Sequence, residues 1–166
     1  MRSLLARCLI AVGLFLTSGV SSADAQAAAT SRRPVTFWGQ VALGAGGAAD
    51  SGFYVGAISA AVQVRQILFM GRISSLGTED RTRMEELGLL VGVASRPDVF
   101  HGGVAAGLGI ATADGDSSAI ALPFEAQLSW RPIPWAGLGA RVFGNINRLD
   151  NFGGITVALQ VGRLRP

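Results

Sequence analysis

Between Ala119 and Asn147 the chain runs in two alternating stretches folded back on a proline-rich turn, AIALPFEAQLSW-RPIP-WAGLGARVFGNIN. Alternate residues of a strand point to opposite faces, so spacing alone sorts this segment. Ile120, Leu122, Phe124, Ala126 and Leu128 share one face with Leu138, Ala140, Val142 and Ile146. Glu125, Gln127, Ser129, Gly137, Gly139, Arg141 and Asn145 occupy the other. With Ile133 as the centre of the turn, Glu125 is predicted to stand directly opposite Arg141. One face is oily without a break, and the other is small or polar with one matched pair of charges.

The same plan recurs along the chain. Alternating segments of roughly ten to thirteen residues, long enough to cross a bilayer as tilted strands, lie at Thr36–Ala45, Phe53–Val64, Ile67–Gly77, Met84–Ala94, Phe100–Thr112, Ala119–Trp130, Trp135–Asn147 and Phe152–Leu164. Each carries several glycines or small residues, which a helix interior disfavours, and the apolar period is two. No stretch after the N-terminal leader approaches the run of about 18 apolar residues that a membrane helix needs. The spacing therefore predicts an all-β, eight-stranded antiparallel up-and-down barrel.

The connections carry a second pattern. The even-numbered ones, Arg65-Gln66, Ser95-Arg96-Pro97-Asp98 and Arg131-Pro132-Ile133-Pro134, are tight; the odd-numbered ones, GAGGAADSG, TEDRTR, ADGDSS and RLDN, are generally longer or more polar. Aromatic residues fall at strand ends: Phe37, Trp38, Phe100, Trp130 and Trp135 at one rim, and Phe53, Tyr54 and Phe152 at the other. Amphipathic rings at both rims are what two interfacial girdles require.

The chain begins as an exported protein does. Arg2 and Arg7 precede an apolar core from Cys8 to Val20, too short to span a bilayer, and Ala23-Asp24-Ala25 offers small residues for cleavage. The expected division is a signal peptide at 1–25, a polar lead-in at 26–34 and a barrel at 35–166. Cys8 is the one cysteine and lies within the leader, so no disulfide, thiol nucleophile or cysteine-based metal site is expected after processing. Every basic residue is arginine, and no basic block is interleaved with aromatics, which argues against a nucleic-acid partner despite the net charge of +3.

Which face looks outward depends on the minority face. A face turned to water is dense in charge, whereas charged residues make up only 15% of this chain. The polar face holds mostly Gly, Ala, Ser and Gln, sizes suited to the inside of an eight-stranded barrel. Arg72, Glu86, Glu125 and Arg141 are expected to form a charge network in the lumen. Gln40, Ser59, Gln63, Gln127, Asn145 and Gln160 supply its polar lining. Buried charge is tolerated when paired, and the pairing is expected to be a static plug in preference to a gate.

Strand count, loop asymmetry, girdles and a charged lumen over Thr36 to Leu164 resemble the eight-stranded outer-membrane barrel families, those of the OmpA transmembrane domain and OmpX. Members usually end in an aromatic residue on an alternating last strand; here Ile155, Val157, Leu159 and Val161 alternate, and the chain closes Gly162-Arg163-Leu164-Arg165-Pro166. The resemblance implies an outer-membrane location, with membrane lipid, lipopolysaccharide and the barrel-insertion machinery as partners, and no cofactor.

The leading expectation is a barrel with a filled lumen and a structural or surface-interaction role. A narrow channel for small solutes or ions is the alternative, because Gly88, Gly92, Gly103, Ala105, Gly107, Gly109, Gly137 and Gly139 leave inward volume. A soluble, periplasmic, lipocalin-like ligand-binding barrel is a second. A lipid A-modifying enzyme needs a His–Ser pair within hydrogen-bond reach. The one histidine, His101, stands at the rim opposite Ser117 and Ser118, so no catalytic residue is assigned. Asp114-Gly115-Asp116 reads as a turn and lacks the remaining ligands of a calcium loop, leaving no metal site. Neither solute, surface partner nor oligomeric state is encoded in any motif.

Overall fold

A computed structural model describes residues 35–48, 51–77, 83–113 and 117–165. The leader with Cys8, the lead-in, the acidic and basic residues of TEDRT and the sequence Asp114-Gly115-Asp116 lie outside the described residues. Those described form eight strands: β1 (Val35–Ala48), β2 (Ser51–Val64), β3 (Ile67–Gly77), β4 (Arg83–Ala94), β5 (Phe100–Ala113), β6 (Ser117–Ile133), β7 (Ala136–Asn147) and β8 (Phe152–Arg163). Each pairs antiparallel with the next, and β1 pairs with β8 from Phe37↔Arg163 to Ala48↔Phe152, closing the barrel. Closure leaves no unpaired strand edge.

Alternation along each strand sets inside and outside. In β3, Ile67, Phe69 and Ile73 are exposed, while Leu68, Met70 and Arg72 are buried. The outer wall is a continuous apolar belt, with Leu43 70%, Leu89 71%, Leu108 64% and Val157 64% exposed. A soluble monomer rarely exposes apolar patches beyond a few hundred Å². Such a wall is the outward face of a membrane barrel.

The first connection differs from the expected loop asymmetry. Ladder pairing between β1 and β2 continues to Ala48↔Ser51. Most of GAGGAADSG is therefore strand, because small residues on both sides let the two backbones stay in register. Both ends of the barrel have short connections. The end bearing 65–66, 95–99 and 134–135, where β1 begins and β8 ends, is called the turn end below; the other is the loop end.

The predicted turn in 131–134 shifts as well. β6 runs through Arg131 and Pro132 to Ile133, and Pro134-Trp135 makes the turn. Trp130 pairs with Leu138 but Ile133 pairs with Ala136, a register irregularity at Pro132, where a residue without an N–H cannot serve the ladder. Glu125 therefore faces Phe143, and Arg141 faces Gln127, so the predicted Glu125–Arg141 register is displaced by two residues. Because the displacement is even, no side chain changes face. A second proline, Pro123, marks a gap in β5–β6 pairing between Ala106↔Phe124 and Gly109↔Ala121.

β5 turns small residues inward and lies close against β4. A Cβ on Gly107 would collide with the backbone carbonyl of Leu89, and one on Gly92 with that of Val104. Only glycine permits this approach. On the outer wall the ring of Phe124 covers Gly144, its cross-strand partner, an aromatic filling the space a glycine leaves.

The turn at Arg65-Gln66 holds Arg65 at φ 59°, the left-handed region. For a side chain that conformation costs about 1–2 kcal/mol, less for Asn. Arg65→Asn is therefore expected to raise stability by about 0.5–1 kcal/mol, read as a later urea midpoint in detergent micelles. An earlier midpoint would mean that the arginine's own contacts outweigh the backbone cost.

Candidate functional site: the closed lumen

The inward side chains fill the barrel in three layers. At the turn end Trp38, Leu68, Leu90 and Leu164 pack with the polar side chains of Gln63, His101 and Arg131. At the loop end Phe53, Val55, Leu76, Met84, Phe143 and Phe152 form an apolar cap. Charged and amide groups lie between. Trp38, Phe53 and Phe152 are thus corrections to the girdles expected above. Phe37-Trp38 and Phe53-Tyr54 are neighbours in sequence, so only one ring of each pair can face outward. Trp38 shares the parity of Gln40, Phe53 that of Ser59, and Phe152 that of Thr156, all buried. Phe37, Tyr54, Phe100, Trp130 and Trp135 do face outward.

In the middle layer Arg72, from β3, reaches two carboxylates. Its Nη2 and Nε donate to Glu86 Oε1 at 2.6 and 3.1 Å, and its Nη1 to Glu125 Oε2 at 3.0 Å. Arg141 Nη1 stands 3.6 Å from the same Glu125 Oε2. The pair separated by the register displacement therefore still meets, on a diagonal. Arg141 also donates to Thr156 Oγ1 and Ser59 Oγ, and Asn145 Nδ2 donates to Glu86 Oε2 at 2.6 Å. All four charged groups are at most 4% exposed. In so dry a setting charges persist only when paired and hydrogen-bonded.

The amides extend this cluster toward the turn end. Gln40 donates to Ser59 Oγ, Gln160 Nε2 donates to Gln40 Oε1, and Arg131 Nε donates to Gln160 Oε1. Toward the loop end Asn147 Nδ2 donates to Asn145 Oδ1 and to the Asp150 carbonyl. With the 3.6 Å Arg141–Glu125 ion pair as one link, side-chain hydrogen bonds thus connect Arg131 to the connection at 148–151. Gln127, also inward, stands across from Arg141.

Arg131, expected in the tight connection 131–134, lies instead within β6. It is fully buried, with its guanidinium carbon 4.5 Å from the centre of the Trp38 ring and Nη1 donating to the Leu164 carbonyl. Its parity with Ser129 and Gln127 was the signal available. A cation over an indole face, with carbonyl acceptors beside it, is held without a carboxylate.

His101, at the turn end of β5, points into the lumen: it is fully buried, its Nε2 lies 2.8 Å from Gln63 Oε1, and its ring meets Trp38 edge-on. Gln63 Nε2 also donates to the carbonyls of Arg65 and Ser95, tying two turns together from within. Ser129 is the cross-strand neighbour of His101, a proximity that spacing along the chain did not reveal. Its hydroxyl donates to the backbone carbonyl of His101, not to the ring. Ser117 and Ser118 pair with Ala113 and Thr112 at the loop end. The histidine is thus engaged by a glutamine and makes no base–nucleophile contact with these serines.

No protein-family model matches the chain, and no curated protein matches it in sequence. Solved structures do. Neisserial surface protein A superposes with a TM-score of 0.62 at 13% identity, over 76% of this chain and 96% of that one. Ail, the attachment invasion locus protein of Yersinia pestis, superposes with a TM-score of 0.56 at 12% identity, over 80% and 99%. Such identities carry the fold. The chain has the architecture of the small eight-stranded outer-membrane β-barrels.

Proposed function

We propose that this chain is an outer-membrane barrel with a sealed lumen and a structural or surface-interaction role, its turn end facing the periplasm. The supporting observation is the interior itself: Gln63, Arg72, Glu86, His101, Arg131, Arg141 and Gln160 are each at most 2% exposed. An interior that solvent does not reach does not conduct by a continuous water file, and filled lumens are the norm at eight strands. The apolar outer wall disfavours the soluble, lipocalin-like alternative. The even strand count puts both barrel termini at the turn end, where the N-terminus of an exported chain stays. The neighbours' names, a surface protein and an attachment protein, accord with this role through fold alone.

The test is fractionation followed by planar-bilayer recording. The chain is expected in the outer membrane, with gel mobility that changes on boiling, and electrically silent in a bilayer. A soluble periplasmic protein whose mobility ignores boiling overturns the membrane placement. A steady conductance that Glu125→Ala alters replaces the sealed lumen with a channel.

A further inference from the structure

Charge is distributed unevenly over the turn end. Arg65 and Arg96 are exposed on successive turns, Arg163 is exposed at the end of β8, and Arg165 is half-buried with Nη2 on the Pro132 carbonyl. Asp98 is the one acidic residue among the described residues of that end, and it accepts from the Val99 amide. These positions are contiguous. Arg163 pairs with Phe37 of β1, β1 pairs with β2, and Arg65 follows β2 directly. The Arg96 turn lies beside the Arg65 turn, with the Ala94 amide donating to the Gln66 carbonyl.

The height of this patch relative to the wall identifies what it meets. Cross-strand partners share a face, so Arg163 stands beside the exposed Phe37 ring on the outer wall. Phe100, Trp130 and Trp135 are exposed at the same rim. Exposed rings of this kind mark the headgroup level of a bilayer. Arginines at that depth present forked donors suited to phosphate oxygens.

We infer that the turn-end arginines Arg65, Arg96 and Arg163 form a basic collar that recruits anionic phospholipid headgroups, the phosphatidylglycerol type, from the leaflet surrounding that rim. This rests on the membrane placement proposed above and adds the lipid class it selects. The collar is set apart from the lumen charges Arg72, Glu86, Glu125 and Arg141, which meet one another inside the barrel. Basic groups near an anionic membrane surface attract it by roughly fivefold each at low salt.

The test uses the full chain refolded into mixed phosphatidylethanolamine–phosphatidylglycerol vesicles, followed by native mass spectrometry of the lipids retained after extraction. The gel-mobility shift on boiling reports insertion separately, so a chain that never inserts refutes the membrane placement and not the collar alone. The inserted parent is expected to retain phosphatidylglycerol over phosphatidylethanolamine by about tenfold or more, and the triple variant R65Q/R96Q/R163Q by little beyond parity. High salt on the unaltered chain must erase the preference too, since exposed charges are screened; that arm stands even if the triple variant fails to fold. Equal retention of both lipids by the parent, or an unchanged preference in the triple variant, overturns the collar. So does a variant that keeps its lipid preference but loses binding to purified peptidoglycan, which would assign the arginines to the cell wall.

Discussion

Arg72→Ala lowers barrel stability by about 3–5 kcal/mol, the expected result of stranding buried carboxylates without their cation. Arg72 makes three bonds to two acids, Glu86 and Glu125. Its loss leaves Glu86 with Asn145 and Glu125 with Arg141 at 3.6 Å. Unfolding in urea, followed by gel mobility in lipid vesicles, reads the effect as an earlier midpoint. The all-apolar quadruple variant R72M/E86L/E125L/R141M is expected to recover most of the loss, because removing every charge removes the desolvation cost along with the attraction. An unchanged midpoint for Arg72→Ala would mean that water enters the middle layer and that the lumen is open.

Leu89→Arg carries the second large effect, and its size separates two kinds of barrel. Leu89 lies near the middle of β4 and is 71% exposed. If that exposure is to hydrocarbon, an arginine there costs about 2–4 kcal/mol. If it is to water, the change stays within about 0.5 kcal/mol. The urea midpoint in vesicles checks this directly, and a midpoint equal to the parent's refutes the lipid-facing wall. The close approach of Gly107 to the Leu89 carbonyl involves backbone alone, so a change of the outward side chain leaves it in place.

Much of the fold was legible because a strand reports its own faces. β3 matches its predicted bounds, Ile67–Gly77, and the other strands differ at their ends by a few residues. Arg72, Glu86, Glu125 and Arg141 share one face by parity, and that face looks toward the barrel axis. Parity is a local property that survives a register error of two, which is why displacing Glu125 relative to Arg141 left both inside. The number of residues in a turn is not local in the same way. With Pro132 and Pro134 on either side of Ile133, spacing alone does not fix where the turn closes, and packing puts it at Pro134-Trp135.

Trp38, Phe53 and Phe152 depart from the girdles for a different reason. Height along a strand places a ring at a rim, but parity decides whether it points to the wall or to the lumen. Phe143, which no rim assignment included, also belongs to the interior, where its ring packs edge-on with Phe152. Contacts across the lumen were beyond sequence reasoning altogether. Arg72 and Glu125 are separated by 53 residues and lie on strands that never pair. Their meeting depends on barrel diameter and strand stagger, which emerge only when the ring closes. Arg131 carries no signal of its own beyond parity, because Pro132 and Pro134 give 131–134 the composition of a turn although β6 continues to Ile133.

The interior bonds have a mechanical consequence. Arg72 joins β3 to β6, Asn145 joins β7 to β4, Arg141 joins β7 to β2, and His101 of β5 meets Gln63 of β2. Each tie skips two staves and crosses near the diameter, as spokes do in a wheel. A hoop held by its rim alone ovalises easily under lateral pressure, whereas one with crossed spokes keeps its girth. The cylinder is braced from its hub, and squeezing it flat would first have to shear buried ionic struts.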